Sequence, residues 1–377
     1  MSTASAMPRS GIREVMDRSR TLVGCIHLEV GEPSFPTPSH VVEAAVQALR
    51  EGATKYAPNA GLAVLRESIV DKVRARNAIE ANVDQVIVTV GGVQGLYSAL
   101  QSVTEPGDHV LLPDPGWPNY MMIAHLLHLQ QDRYQLRREN GFLPTVEDLE
   151  ARVTPRTRAI VLNTPSNPLG TILPAPLLKD VCEFAGRHDL YVVSDEVYDE
   201  LTFEPGFASA AAAGDPDRII TCFSFSKTYA MTGWRVGYLV APVPLAPVLQ
   251  KLQEPLVSCV NTAAQVAADA ALRGPQNAVA TMVAAYRHRR DALVDALGSS
   301  GVEHWRPSGA FYTWARLTGY RGTAVEFALR LLEEQNVAVA PGTAFGPSGE
   351  GWIRLSLATD EALLLEGAAR IVALLEK

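Results

Sequence analysis

The middle of the chain alternates short, wholly apolar runs with longer amphipathic ones. Residues 86–90, 109–112, 159–162, 191–193 and 218–223 are rich in β-branched and aromatic residues and too short for helices. They predict buried strands. Helices are predicted between them, from Gly91 to about Val103 and over residues 177–187. Unbroken apolar strands separated by helices predict an α/β fold with a mainly parallel sheet covered on both faces. Ligands of such sheets bind beyond the carboxyl ends of the strands. Polar residues gather at those ends: Gly91-Gly92, Asn163, Ser194-Asp195-Glu196 and Ser224-Phe225-Ser226-Lys227.

The flanks read differently. Residues 1–20 are polar and irregular, with a short helix over 12–19, and a strand over 26–30 stops at Gly31-Glu32-Pro33. A helix is expected over 39–50 with Ser39 as its N-cap. After a loop at Lys55-Tyr56-Ala57-Pro58 comes a helix whose Leu62, Leu65, Ile69, Val70 and Val73 share one face. Beyond about Asn261 the pattern is helical, and Tyr286, Leu293, Val294 and Leu297 form a stripe suited to joining two domains. The tail alternates strands (311–315, 337–339, 352–357) with helices, an α+β pattern. The expected division is a large domain over 46–288 and a smaller one from 1–45 and 289–377.

Composition narrows the class. The 377 residues are 47% hydrophobic and 20% charged, as in globular enzymes, and too many for one simple core. A net charge of −8 argues against nucleic acid or an anionic membrane as the main partner. Cys25, Cys182, Cys222 and Cys259 are widely spaced, with no CxxC or Cys/His cluster, so free thiols are expected and a metal site is not. The first residues have no apolar core of a signal peptide, and no apolar run reaches spanning length. A soluble cytoplasmic protein is the expectation.

Each strand end admits a structural or a chemical reading. Lys227, one of six lysines, sits at the mouth of a buried strand among hydroxyls and aromatics. Burial there lowers its pKa and makes it a nucleophile; a lysine paired with a carboxylate is the alternative. Gly91-Gly92-Val93 opens a helix whose free N–H groups attract an anion, although strand-to-helix glycines are common. Trp117, in a Pro/Gly turn, can stack on a planar ligand or cap a core. Asn167, followed by Pro168, is held in a rigid turn whose Asn–Pro bond is a candidate for the cis form. Asp195 follows an apolar strand and needs a cation, for which a protonated ring nitrogen would serve. Arg235 offers a fixed cation to a phosphate. One ligand uses all of these together: pyridoxal phosphate, with its aldehyde, phosphate, flat ring, ring nitrogen and phenolate oxygen.

The chain resembles the class I pyridoxal-phosphate aminotransferases of fold type I, in the subgroup that includes bacterial aspartate aminotransferases. The likeness runs from GEPSFPTP at Gly31 through TKYAP at Thr54, TVGG at Thr89, SDEVY at Ser194 and SFSKTYAMTGWR at Ser224 to RPSGAFY at Arg306 and RLSLA at Arg354. It implies that Lys227 links to the cofactor aldehyde and then moves the substrate Cα proton. It also implies that Asp195 keeps the pyridine nitrogen protonated, and that Asn167 and Tyr198 bond the phenolate oxygen while Trp117 stacks on the ring. Gly91, Gly92, Val93, Ser224, Ser226 and Arg235 would hold the phosphate, with Tyr56 supplied by the other subunit of a homodimer. Arg354 would clamp the substrate α-carboxylate beside Asn167 and the Gly31 backbone.

Two departures stand out. The family's Asn-Pro-Thr-Gly is Asn167-Pro168-Leu169-Gly170 here, which removes a hydroxyl. Aspartate-using relatives carry lysine where this chain has Val93, so a neutral, apolar or aromatic amino acid is expected, with Ile12 a candidate wall. A C–S lyase, cyclising synthase or decarboxylase on the same fold is the alternative. A ligand-sensing regulator, which would carry an added DNA-binding domain, is not expected, nor is a nicotinamide dehydrogenase, which would need a GxGxxG fingerprint.

Overall fold

Strands form where the apolar runs lie, and their order sets the geometry of everything else. The computed structural model describes residue 7 and residues 11–376; most of the polar N-terminal decapeptide and Lys377 lie outside the described residues. The strands are β1 (Ile26–His27), β2 (Val86–Thr89), β3 (His109–Asp114), β4 (Gln130–Gln135), β5 (Thr157–Asn163), β6 (Tyr191–Asp195) and β7 (Ile219–Ser224). They continue with β8 (Gly237–Val240), β9 (His304–Trp305), β10 (Tyr312–Arg316), β11 (Val337–Ala338), β12 (Ala340–Pro341) and β13 (Trp352–Ser356).

A seven-stranded sheet runs β2-β8-β7-β6-β5-β3-β4. Every pair is parallel except those that β8 makes with β2 and β7. The exception has a simple cause. Chain 225–236 returns directly from β7 to β8 through short helical turns, whereas a parallel neighbour needs a longer crossover, usually through a helix. All residues of β2, β7 and β8 are buried, as strands covered on both faces should be.

Strand β4, with sequence QQDRYQ, was not legible as a strand. It pairs with β3 alone at the sheet's edge, and Tyr134 is its one fully buried residue. Tyr134 donates its hydroxyl to Val161 O at 2.7 Å, satisfying a phenol in the core.

The C-terminal stretch builds a second, four-stranded sheet, β12-β13-β10-β9, antiparallel throughout, and β11 pairs parallel with β1. The strand expected over 26–30 is therefore two residues long, because only Ile26 and His27 find partners on β11. The expected N-cap also moves by one. Pro38 caps the helix Ser39–Arg50 with no side-chain bond, and Ser39 is its first residue. The helix Asn277–Ser299 buries Tyr286, Leu293 and Leu297, with Val294 only half-buried. No described helix is long and apolar enough to cross a membrane.

One turn ties the two sheets together at the site. Gly170, at φ +64°, accepts from Ser308 N at 2.9 Å and Gly309 N at 3.0 Å through its carbonyl. A Cβ there would lie 2.4 Å from Pro307 Cβ and 2.6 Å from Gly309 O, so nothing larger fits. Gly170→Ala is expected to lower unfolding free energy by about 2 kcal/mol or more, read from the urea midpoint at unchanged m value.

Candidate active site

The connection from β7 to β8 carries two cations. Ser224 caps a single helical turn, Phe225–Thr228, its Oγ accepting from Ser226 N at 3.1 Å. Lys227 lies in that turn and donates from Nζ to Gly31 O at 2.5 Å. Burial pushes its pKa down to about 8; Glu32 opposes the shift, and Arg354 and Arg235 add to it. An amine so placed has a substantial neutral fraction near pH 8 and can attack a carbonyl.

Lys72 is the instructive contrast. It sits on a helix, yet its amine is buried against Asp199 and bonds Asn77 Oδ1 at 2.9 Å. Burial disfavours its charge, but Asp199 and Glu200 outweigh burial and hold its pKa above the ordinary lysine value. Lys72 is thus a second largely covered lysine, held charged by its own partners.

Asp195 ends β6 with 2% exposure. Tyr120 donates to its Oδ2 at 2.5 Å and Val197 N to its Oδ1 at 3.3 Å. Burial nevertheless pushes its pKa up to about 6, against those two bonds and Lys227. Among the described residues it has no ion-pair partner, so a cationic donor would restore its charge. Tyr198 and Tyr312 share a hydrogen bond at 2.9 Å, and burial raises both phenols. They stay protonated and can donate.

Asn167 is positioned by β5. Its N–H donates to Asn163 Oδ1 at 2.7 Å, while Asn163 Nδ2 donates to Asp195 O at 3.0 Å. The Asn167–Pro168 bond is cis. Arg354, on β13 and 2% exposed, donates from Nη1 to Asn167 Oδ1 at 2.9 Å and from Nη2 to Glu29 O at 2.5 Å. The Asn167 amide thus keeps its NH2 end as a donor. Arg354 lies 4.2 Å from the Tyr312 ring centroid, and its Nε is buried without a partner. It makes no salt bridge to a carboxylate among the described residues, and burial lowers its pKa. A buried guanidinium bonded only to neutral oxygens is a site for an incoming carboxylate.

Arg235, at φ +58°, donates to Thr232 O at 2.9 Å. Its Nη2 lies 2.7 Å from where a Cβ on Gly91 would stand, so the glycine makes room for it. Gly91 opens the helix Gly91–Val103. Guanidinium and free helix N–H groups therefore meet at one anion site.

A cavity of about 370 Å³ unites these groups. Its wall includes Lys227, Asp195, Tyr198, Asn167, Arg354 and Arg235. Gly31, Gly92, Val93, Trp117, Ser224, Ser226 and Ile12 also line it. Gly91 and Tyr56 are not among its lining residues, and Tyr56 is 90% exposed. Asn163, already placed at a strand end by the sequence, also lines it, as do Tyr120, Tyr312, Glu29 and Asn119, which sequence reading missed. Tyr120 had a signal: it lies one helical turn after Trp117, and their rings meet edge to face at 5.6 Å. Leu169, in place of threonine, is fully buried in the core. That burial contributes about 2 kcal/mol, which a hydroxyl would forfeit.

The model of the family described as aminotransferase class I and II matches residues 23–371. The chain is 38% identical over 371 residues to an aspartate aminotransferase of Pyrococcus horikoshii, covering 98% of this chain and 95% of that one. It is 36% identical to aromatic-amino-acid aminotransferase 2 of Thermococcus litoralis, over 98% and 96%. The solved structure of Thermus thermophilus aspartate aminotransferase with maleate superposes with a TM-score of 0.95 at 36% identity, over 99% of each chain.

Proposed function

We propose, from the premise that this chain belongs to the class I and II aminotransferases, that it moves the α-amino group of a neutral, apolar or aromatic L-amino acid to a 2-oxo acid with pyridoxal phosphate as cofactor. The aminotransferase reading outranks lyase, synthase or decarboxylase chemistry because the relatives carry that name along their whole length.

The residues fit the cofactor. A buried carboxylate lacking a cation at Asp195 suits a pyridine N–H. The glycine cradle with Arg235 suits a phosphate, joined by Gly92, Val93, Ser224 and Ser226. Trp117 supplies a flat face, and Asn167 and Tyr198 supply donors for the phenolate oxygen. When bound, pyridoxal phosphate supplies an aldehyde for amine exchange and an electron-accepting ring.

The protein's own groups do the rest. Arg354 binds the substrate carboxylate, and Asn167 fixes its angle. With the cofactor bound, Lys227 Nζ would be the base that takes the substrate's Cα proton and later gives it back. Asp195 would be the carboxylate that keeps a proton on the cofactor's ring nitrogen.

The observation that carries the substrate class is that Ile12, Met16, Val93 and Leu96 line the cavity, and that its cations among the described residues are Lys227, Arg235 and Arg354, each already engaged. Turnover of leucine or phenylalanine is expected to exceed that of aspartate. An aspartate preference of about tenfold, or about 1.4 kcal/mol, would end this reading.

The exposed Tyr56 and the apolar Val42, Val46 and Leu49 favour a two-fold homodimer in which Tyr56 reaches the partner's phosphate site. The division into 46–288 and the two terminal segments remains our assignment for the domains.

A further inference from the structure

Strand β10 runs antiparallel to β13, with Tyr312 opposite Ser356 and Trp314 opposite Arg354. Tyr312 and Arg354 are therefore diagonal neighbours on one face of the four-stranded sheet, within reach of each other's long side chains. They do meet. The guanidinium carbon lies 4.2 Å from the Tyr312 ring centroid and 4.9 Å from that of Phe345. An aromatic face attracts a cation, most strongly where water is excluded, and Tyr312 is 1% exposed.

The far end of Tyr312 touches the other half of the cleft. Its Oη lies 2.9 Å from Tyr198 Oη, and a Cβ on Gly31, whose carbonyl holds Lys227, would stand 2.6 Å from it. Both phenols line the cavity. Two hydroxyls at that distance share one proton in their bond. Once Tyr198 O–H is committed to another acceptor, only Tyr312 can be the donor of the pair. A hydroxyl that accepts a bond becomes a stronger donor in turn. Arg354, Asp195 and the phenols of Tyr120 and Tyr286 surround the two.

We propose that Tyr312 is a positioning residue that joins the carboxylate clamp to the phenolate side of the site. Its ring steadies Arg354, and its hydroxyl donates to Tyr198, leaving Tyr198 O–H for the cofactor's phenolate oxygen. The inference rests on the reading of the cleft as a pyridoxal-phosphate site. A donor on that oxygen disperses its negative charge, so a proton beside it is held less tightly. Without the Tyr312 hydroxyl the donor weakens and the proton is held more tightly.

The test uses the holoenzyme and the pH midpoint of its visible band. In Tyr312→Phe the midpoint is expected to rise by about 0.5 unit or more, while the Kd of 4-methylpentanoate stays within about twofold because the ring remains. In Tyr312→Leu the midpoint should rise as well, and that Kd should weaken by about tenfold. In a Tyr198→Phe background, Tyr312→Phe should add less than about 0.2 unit, since its path to the cofactor is gone. A midpoint unmoved by Tyr312→Phe, or an equal rise in both backgrounds, overturns the proposal. So does a Kd in Tyr312→Leu within about twofold of the unaltered enzyme. If Tyr312→Leu does not fold, the two backgrounds of Tyr312→Phe decide. An unaltered protein that develops no visible band with pyridoxal phosphate would overturn the reading of the cleft instead, so the two failures are separable.

Discussion

Lys227→Ala is expected to lower kcat by about 10³-fold or more and to abolish borohydride trapping of cofactor on the chain. Among the described lysines, its amine alone combines burial, a pKa pushed down to about 8 and a place in the cavity wall. Lys72 is buried as well, but its pKa is raised and Asp199 occupies its amine. Peptide mapping after borohydride should find the label at residue 227, and label at 72 would overturn the assignment. The pH dependence follows from the sign of the shift. Trapping by the cofactor-free protein should rise through about pH 8 as the neutral amine accumulates, rather than near the ordinary lysine range.

Arg354→Leu is expected to lower kcat/KM by about 10²–10³-fold, with most of the loss in KM. The guanidinium is buried, bonds Asn167 and the Glu29 carbonyl, and has no acid of its own. Its loss removes the fork that a substrate carboxylate would occupy and leaves two oxygens without their donor. Arg354→Lys should recover only part of the activity, because an ammonium cannot make two parallel bonds. If instead kcat fell and KM held, the α-carboxylate would be bound elsewhere.

What could be read from the sequence follows the physics of burial. Strands covered on both faces appear as unbroken apolar runs, so β2, β5, β6 and β7 and the polar residues at their ends were visible. Strand β4 was not, because Tyr134 is its one fully buried residue and its other positions are polar and partly exposed. Tyr120 and Tyr312 were overlooked because a phenol inside an apolar stretch looks like core until its hydroxyl is seen on Asp195 or Tyr198. Glu29 was hidden for a related reason: beside a short strand, one acid reads as an outward-facing residue. The glycine at 170 was quoted for its motif, whereas its role is the close approach of Pro307 and Gly309.

The β7–β8 return has a consequence for how such a protein can diversify. It fastens Lys227 and Arg235 to one short loop on the seven-stranded sheet, whereas Ile12, Met16, Glu29 and Arg354 ride on terminal segments. In the proposed function the reactive amine and the phosphate anchor thus share one loop, while part of the wall facing the substrate is carried by other stretches of the gene. Drift in the ends can retune which metabolite is chosen while the reactive centre keeps its calibration.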